Sequence, residues 1–189
     1  QDVNKGWLQK IREDAPDHVM GSTTTGGETT PGAVKVGKGG EYANLDAVVM
    51  DAVNELIDVV YQDDDDLVVI CGRELLSDKY FPLVNKEQEN SEKLAADMII
   101  SQKRMGGLQA VRAPFFPPNA LLITRLDNLS IYWQEDTRRR SVIDNPKRDR
   151  IENFESVNEA YVVEDYRCAA LVENIQIGDF SAAAAETGA

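Results

Sequence analysis

A mixed α/β fold, in the α+β sense, is the class this sequence predicts, and three observations carry it. Residues 67–71, Leu-Val-Val-Ile-Cys, form an apolar run short enough to be a strand buried on both faces. Helical periodicities flank it: Leu45, Val48, Val49, Ala52, Val53, Leu56 and Val60 before it, and Leu75, Leu76, Tyr80 and Leu83 with the stem of Lys79 after it. Farther on, residues 108–112, 120–124 and 129–133 are short strand-like runs separated by turn formers. A buried strand between two amphipathic helices is the nucleus of a layered domain, which the rest of the chain covers or extends.

The totals fit that class. At 189 residues the chain suits one domain, or one domain with a small appendage, and can bury about two thirds of its unfolded surface without staples. Its 42% hydrophobic and 28% charged residues are ordinary for a globular protein. No apolar stretch approaches the ~18 residues of a membrane span and no signal peptide opens the chain, so no membrane partner is expected. A formal charge of -13 argues against a surface broadly attractive to nucleic acid, which needs clustered Lys and Arg. Cys71 and Cys168 read as small core residues of a reducing compartment, too few for a metal framework. No cofactor is expected. The chain opens on Gln1 rather than Met, which reads as a piece of a longer chain.

In order, Trp7, Leu8 and Ile11 predict a short amphipathic helix stopped at Pro16. Residues 21–40 are rich in Gly, Ser and Thr and predict a flexible loop or hairpin, with 33–36 the one plausible strand. Asn44 caps the next helix, and Asp46 suits its positive end. After the acidic turn Asp63, Asp64, Asp65, Asp66, the strand runs to Gly72 and a helix starts at Arg73. A third helix is predicted from Asn90 or Ser91 through about Arg104, with Leu94, Met98 and Ile99 inward, ended by Gly106-Gly107. Residues 114–119, P-F-F-P-P-N, must be a loop because proline cannot donate to a sheet ladder. Residues 151–163 and 166–177 read as extended segments, and the small, polar tail as disordered.

Few residues offer chemistry. Cys71 on a strand-to-helix turn has the placement of a nucleophile, but it needs a base, and the one histidine, His18, lies in the distant proline-bounded segment. The four aspartates at 63–66 lack the alternating ligands and glycine of a calcium loop and read as a solvated turn. Gly37-Lys38-Gly39-Gly40 fails the spacing of a phosphate loop. The stretch from residue 138 to 150 stands apart. Arg138, Arg139, Arg140, Lys147, Arg148 and Arg150 face only Asp144 and Asp149, a local net charge of +4 in an acidic chain. It is either a solvated face or an electrostatic contact, with nucleic acid or with another copy, whose 33 carboxylates suit arginine.

Four strings carry a more specific signal: V-G-K-G-G-E-Y-A-N-L-D-A-V-V-M-D-A (36–52), D-L-V-V-I-C-G-R-E-L-L-S-D-K-Y-F-P-L-V-N-K-E-Q (66–88), L-A-A-D-M-I-I-S-Q-K-R (94–104) and Y-V-V-E-D-Y (161–166). The chain resembles the major capsid proteins of P2-like temperate tailed phages from about Gly6 to Phe180. The resemblance implies the HK97-like capsid fold. It maps residues 1–43 to the passage out of the peripheral domain, 44–134 to the axial domain, 135–178 to peripheral-domain strands and a returning strand, and 179–189 to a disordered tail. It implies a structural, non-enzymatic protein that self-assembles into pentamers and hexamers of an icosahedral head around phage DNA. Implied partners are other copies of itself, phage scaffold, protease and portal proteins, and packaged DNA without sequence preference. The implied location is the virion, and the bacterial cytoplasm during assembly. The family's N-terminal arm, extended loop and spine helix have no counterpart here, so the chain is expected to fold without forming shells. The six basic residues at 138–150 are assigned to intersubunit contact. The rival readings are a small α/β enzyme using Cys71 and a nucleic-acid-binding module using the basic stretch.

Overall fold

Strand β5 (Leu67–Cys71) runs through the middle of the molecule with all five residues buried, as a run without a polar position requires. The computed structural model describes residues 4–25, 28–84 and 103–181. Around β5, strands β1 (Val19–Met20), β6 (Arg104–Met105), β7 (Leu108–Arg112), β8 (Leu121–Arg125) and β13 (Ala169–Val172) complete a six-stranded mixed sheet in the order β1-β13-β8-β5-β7-β6. Strand β5 is parallel to β7 and antiparallel to β8.

The pleat divides the core in two. Leu67, Val69 and Cys71, with Ile123, Leu121, Ala170 and Val172 on neighbouring strands, face helices α2 (Leu45–Leu56) and α4 (Arg73–Val84). Val68, Ile70, Leu122 and Leu171 face helix α1 (Trp7–Asp14), whose Ile11 is fully buried. Period-2 alternation in the strands thus sorts side chains between two helical layers.

Several expectations are corrected. The helix predicted from Leu45 to Val60 stops at Leu56, and Val60 is exposed on a separate short helix α3 (Val59–Gln62). Asp58 caps that second helix by accepting from the Val60 N–H, while Gln62 Nε2 donates to the carbonyls of Asn54 and Ile57. These side chains satisfy the backbone groups a helix end leaves open, which hydrophobic periodicity does not register. Arg104, expected in a helix, lies in β6; the body of that predicted helix, 91–102, falls outside the described residues. Gly106 and Gly107 both take positive φ, +59° and +86°, and make a hairpin turn between β6 and β7 rather than a helix end.

Residues 21–40 hold more structure than one strand. Strands β2 (Ser22–Thr25) and β3 (Glu28–Pro31) pair as a hairpin, and β4 (Val34–Val36) runs parallel to β14 (Ile175–Ile177). The glycine run at 37–40 packs against the chain near residue 180: Lys38 O accepts from the Phe180 N–H, and a Cβ on Gly39 would lie 2.6 Å from Ser181 N. Its glycines serve close backbone approach. The 151–163 segment divides into β11 (Arg150–Ser156) and β12 (Glu159–Val163). Cys71 pairs with Leu121 at one end of β5, whereas Cys168 adjoins Ala169, which is level with Thr124 and Val68 at the other end; both thiols are free.

Candidate interaction surface

After β8 a short 3-10 turn at Leu126–Asn128 sends the chain out of the central sheet into β9 (Leu129–Trp133), which pairs antiparallel with β12 from Leu129↔Val163 to Trp133↔Glu159. Beyond them β10 (Arg139–Asn145) and β11 pair only with each other. Gln134 N–H donates to Asn158 O at 3.0 Å, linking the two ribbons into one arm.

The inner end of this arm is firmly tied. Trp7 Nε1–H donates to both Ser130 O and Val162 O, and the Trp7 ring meets Tyr161 edge to face at 5.2 Å. Asp165, at the return of β12, accepts from Tyr61 Oη–H at 2.9 Å and from Arg167 Nη2–H at 2.8 Å. The Arg167 hydrogen bonds hold the Asp165 carboxyl well below the usual carboxylate range, against the opposing effect of desolvation. Asn128 and Thr124, both buried, are hydrogen-bonded to each other at this junction.

The outer end packs on nothing among the described residues: both faces of β10 and β11 lie open. One face carries Arg139, Ser141, Ile143 and Asn145 opposite Ser156, Phe154, Glu152 and Arg150; the other carries Arg140, Val142 and Asp144 opposite Glu155, Asn153 and Ile151. An isolated two-stranded hairpin is marginal in water, and a solvated surface strand normally hides its apolar residues. Here apolar residues sit on both faces. Eight of the fourteen exposed large hydrophobics among the described residues lie between Ile131 and Val157, which marks the arm rather than the body as the surface that gains most from a partner.

All six basic residues singled out from the sequence fall on this hairpin. Composition and periodicity predict no strand for 139–145, so its regular pairing is a finding of the structure. The six share a hairpin but not a face. Arg138 pairs with Glu155 at 3.3 Å, and Arg150 and Arg148 share Glu152 at 2.7 and 3.9 Å. Arg140 Nε–H donates to Asn153 Oδ1 at 3.2 Å. Arg139 and Lys147 enter no ion pair among the described residues. These pairs are solvent-exposed and contribute little to stability, which leaves the guanidinium groups available to a partner. Sequence reasoning missed Trp133, Val142, Ile143, Ile151 and Phe154. The available signal was apolar residues scattered through a charged stretch, which only strand pairing resolves into cross-strand partners. At the root of the hairpin a hollow of about 740 Å³ is walled by Trp133, Glu135, Asp136, Arg138, Glu155, Val157 and Glu159.

The other candidate residues do not converge. Cys71 is fully buried, burial pushes its thiol up to about 11, and no hydrogen bond joins it to His18. His18 Nδ1 faces the Leu56 carbonyl at the end of α2. A buried thiol with a raised pKa and no hydrogen bond to the histidine is not primed for nucleophilic attack. In the acidic turn, Asp64 accepts from the Asp66 N–H and pairs with Arg125 at 3.1 Å.

Comparison with known proteins adds four findings. A family model described as phage major capsid protein, P2 family, matches residues 1–175. Capsid proteins of Escherichia phage P2 are 62% identical over an alignment of 193 residues, covering 100% of this chain and 54% of theirs. The major capsid protein of Serratia phage KSP20 is 38% identical over 178 residues, covering 93% of this chain and 51% of its own. A subunit of the satellite phage P4 procapsid that includes the size determination (Sid) protein superposes with a TM-score of 0.84 at 59% identity, over 96% of this chain and 54% of that one. The chain spans about half the length of the curated relatives it matches.

Proposed function

The chain belongs to the P2 family of phage major capsid proteins, with the HK97-like capsid fold, and from that premise we propose that it is the part of a shell subunit that builds an icosahedral head by self-association around phage DNA. The observation that carries the proposal is the identity to the P2 capsid proteins along the whole chain. Its role is structural rather than catalytic; the buried Cys71, with its raised thiol pKa, supports that reading. Residues 44–134, with most of the central sheet, α2, α4 and β9, serve as the axial domain, whose sheet β1 and the returning β13 complete, and β10 to β12 serve as part of the peripheral domain. The partners are other copies of the subunit, in pentamers and hexamers, with scaffold, protease and portal proteins at the stages the family's assembly requires. The location is the virion, reached by assembly in the host cytoplasm.

A shell needs many contacts that are each weak enough to be corrected and that sum to a stable whole. The exposed arm suits this. Arg138, Arg139, Arg140, Lys147, Arg148 and Arg150 supply positive charge to a protein with a net charge of -13, so copies attract through the arm while repelling elsewhere. An exclusively nucleic-acid-binding role fits that overall charge poorly.

The test is a chimaera in which this 189-residue chain replaces the aligned region of the P2 capsid protein. Closed shells in electron micrographs are the expected result; a folded chimaera that yields only small soluble species overturns the proposal. Reversing Arg138, Arg139 and Arg140 to Glu in the same chimaera lowers shell yield at least tenfold if the arm is an intersubunit contact, and normal yield counts against that role.

A further inference from the structure

Charge is unevenly distributed along the arm. At its tip, the turn between β10 and β11 carries Lys147 and Arg148, with Arg150 just beyond, against Asp149. At its root, the hollow carries Glu135, Asp136, Glu155 and Glu159 against Arg138, beside the exposed ring of Trp133 and the side chain of Val157. Tip and root cannot meet within one chain, because the seven-residue strands between them hold the two about 20 Å apart.

We infer that the basic tip of one subunit's arm seats in the acidic, tryptophan-walled hollow at the root of a second copy's arm, a contact that rests on the capsid reading above. Three features commit the unpartnered ribbon to this occupant. The charges are complementary between two regions of the same chain. Lys147 carries no ion pair among the described residues, whereas the neighbouring arginines already share Glu152; its ammonium gains carboxylates and the Trp133 face together. The apolar residues near the tip and root, among them Ile151 and Val157, lose water when one ribbon lies along another. Each copy carries one tip and one hollow at opposite ends of the same ribbon, so two ribbons lying antiparallel make both contacts at once in an isologous pair, whereas a staggered arrangement closes a ring or propagates.

The experiment mixes isotopically light and heavy copies of the chain and joins touching amines and carboxylates with a carbodiimide. Crosslinks between copies from Lys147 to Glu135, Asp136, Glu155 or Glu159 are expected. The reversed chain Glu135→Lys with Asp136→Lys, which keeps the Lys147 amine, should lose at least nine tenths of the copy-to-copy crosslinks between tip and root. An equal mixture with a second reversed chain, Lys147→Glu with Arg148→Glu, should regain them, both from Lys147 to the unaltered root and between the substituted positions 147 and 135 or 136. Absence of such crosslinks from Lys147 in the unaltered chain, or no recovery in a mixture of two folded variants, overturns the contact. If a reversed chain fails to fold, the map of the unaltered chain decides by itself. Shells from the chimaera without tip-to-root crosslinks overturn this contact and leave the capsid reading standing; tip-to-root crosslinks without shells do the opposite.

Discussion

Asn128 holds both polar groups of Asp165's backbone: its Nδ2–H donates to the Asp165 carbonyl at 2.8 Å, and its Oδ1 accepts from the Asp165 N–H at 2.7 Å. The same amide donates to Thr124 Oγ1 at 3.0 Å inside the core. The pair closes the loop at which the arm leaves and rejoins the central sheet. Asn128→Ala removes the partner of the Asp165 N–H and of the buried Thr124 hydroxyl, while the Asp165 carbonyl keeps the Cys168 N–H, at a cost of about 1–3 kcal/mol. Urea unfolding measures this. A change under 0.5 kcal/mol would show the junction to be looser than its geometry.

Asp165 makes stability depend on acid. Its carboxyl is depressed by the Arg167 and Tyr61 hydrogen bonds relative to an ordinary aspartate at 3.8, so the unfolded chain takes up a proton more readily than the folded one. The contribution is complete above the unfolded value and is lost as pH falls through the folded one. Thermal melts should show Asp165→Asn less stable than the parent by a constant margin at neutral pH. Below about pH 4 the margin should shrink. A pH-independent difference would sink this account.

Gly106 and Gly107 differ in what surrounds them. A Cβ at Gly106 would stand 2.5 Å from Val49 Cγ1, while at Gly107 it would meet nothing within 4 Å; both take positive φ. Gly107→Ala therefore costs backbone strain alone, about 1 kcal/mol. Gly106→Ala adds overpacking against α2, for a total of roughly 2–4 kcal/mol. Equal effects in denaturant titrations would refute the distinction.

Cys71 and Cys168 are buried with pKa values raised chiefly by desolvation. A thiol reagent at pH 8 should leave both unmodified in the folded protein and label both once it is unfolded. Fast labelling of Cys71 under native conditions would revive the nucleophile reading.

Much of the body was legible in the sequence. Residues 67–71 and 108–112 form strands with the predicted bounds, and α4 starts at Arg73, because burial of one or both faces imposes a period that composition displays; residues 129–133 also keep their predicted bounds, with none of the five buried, through their β-branched and aromatic residues. The end of α2 was not legible, since it is set by Asp58, Gln62 and His18 acting on backbone groups. Nor was β10. A strand open on both faces needs no hydrophobic alternation, so Arg139–Asn145 has no period to read.

By itself, therefore, the sequence determined the central strand at 67–71 with the helices that flank it, the strand at 108–112, the basic character of residues 138–150, and the capsid family through strings specific enough to be recognised. Only the tertiary structure decided that those basic residues lie on a ribbon with apolar residues on both faces, that Trp133 and four carboxylates gather at its root, and that Val19 and Leu171 share a sheet with β5. Periodicity reports whether a face is buried. Which strands pair, and which charges pairing brings together, is settled by contacts between residues far apart in the chain, and no local pattern encodes them.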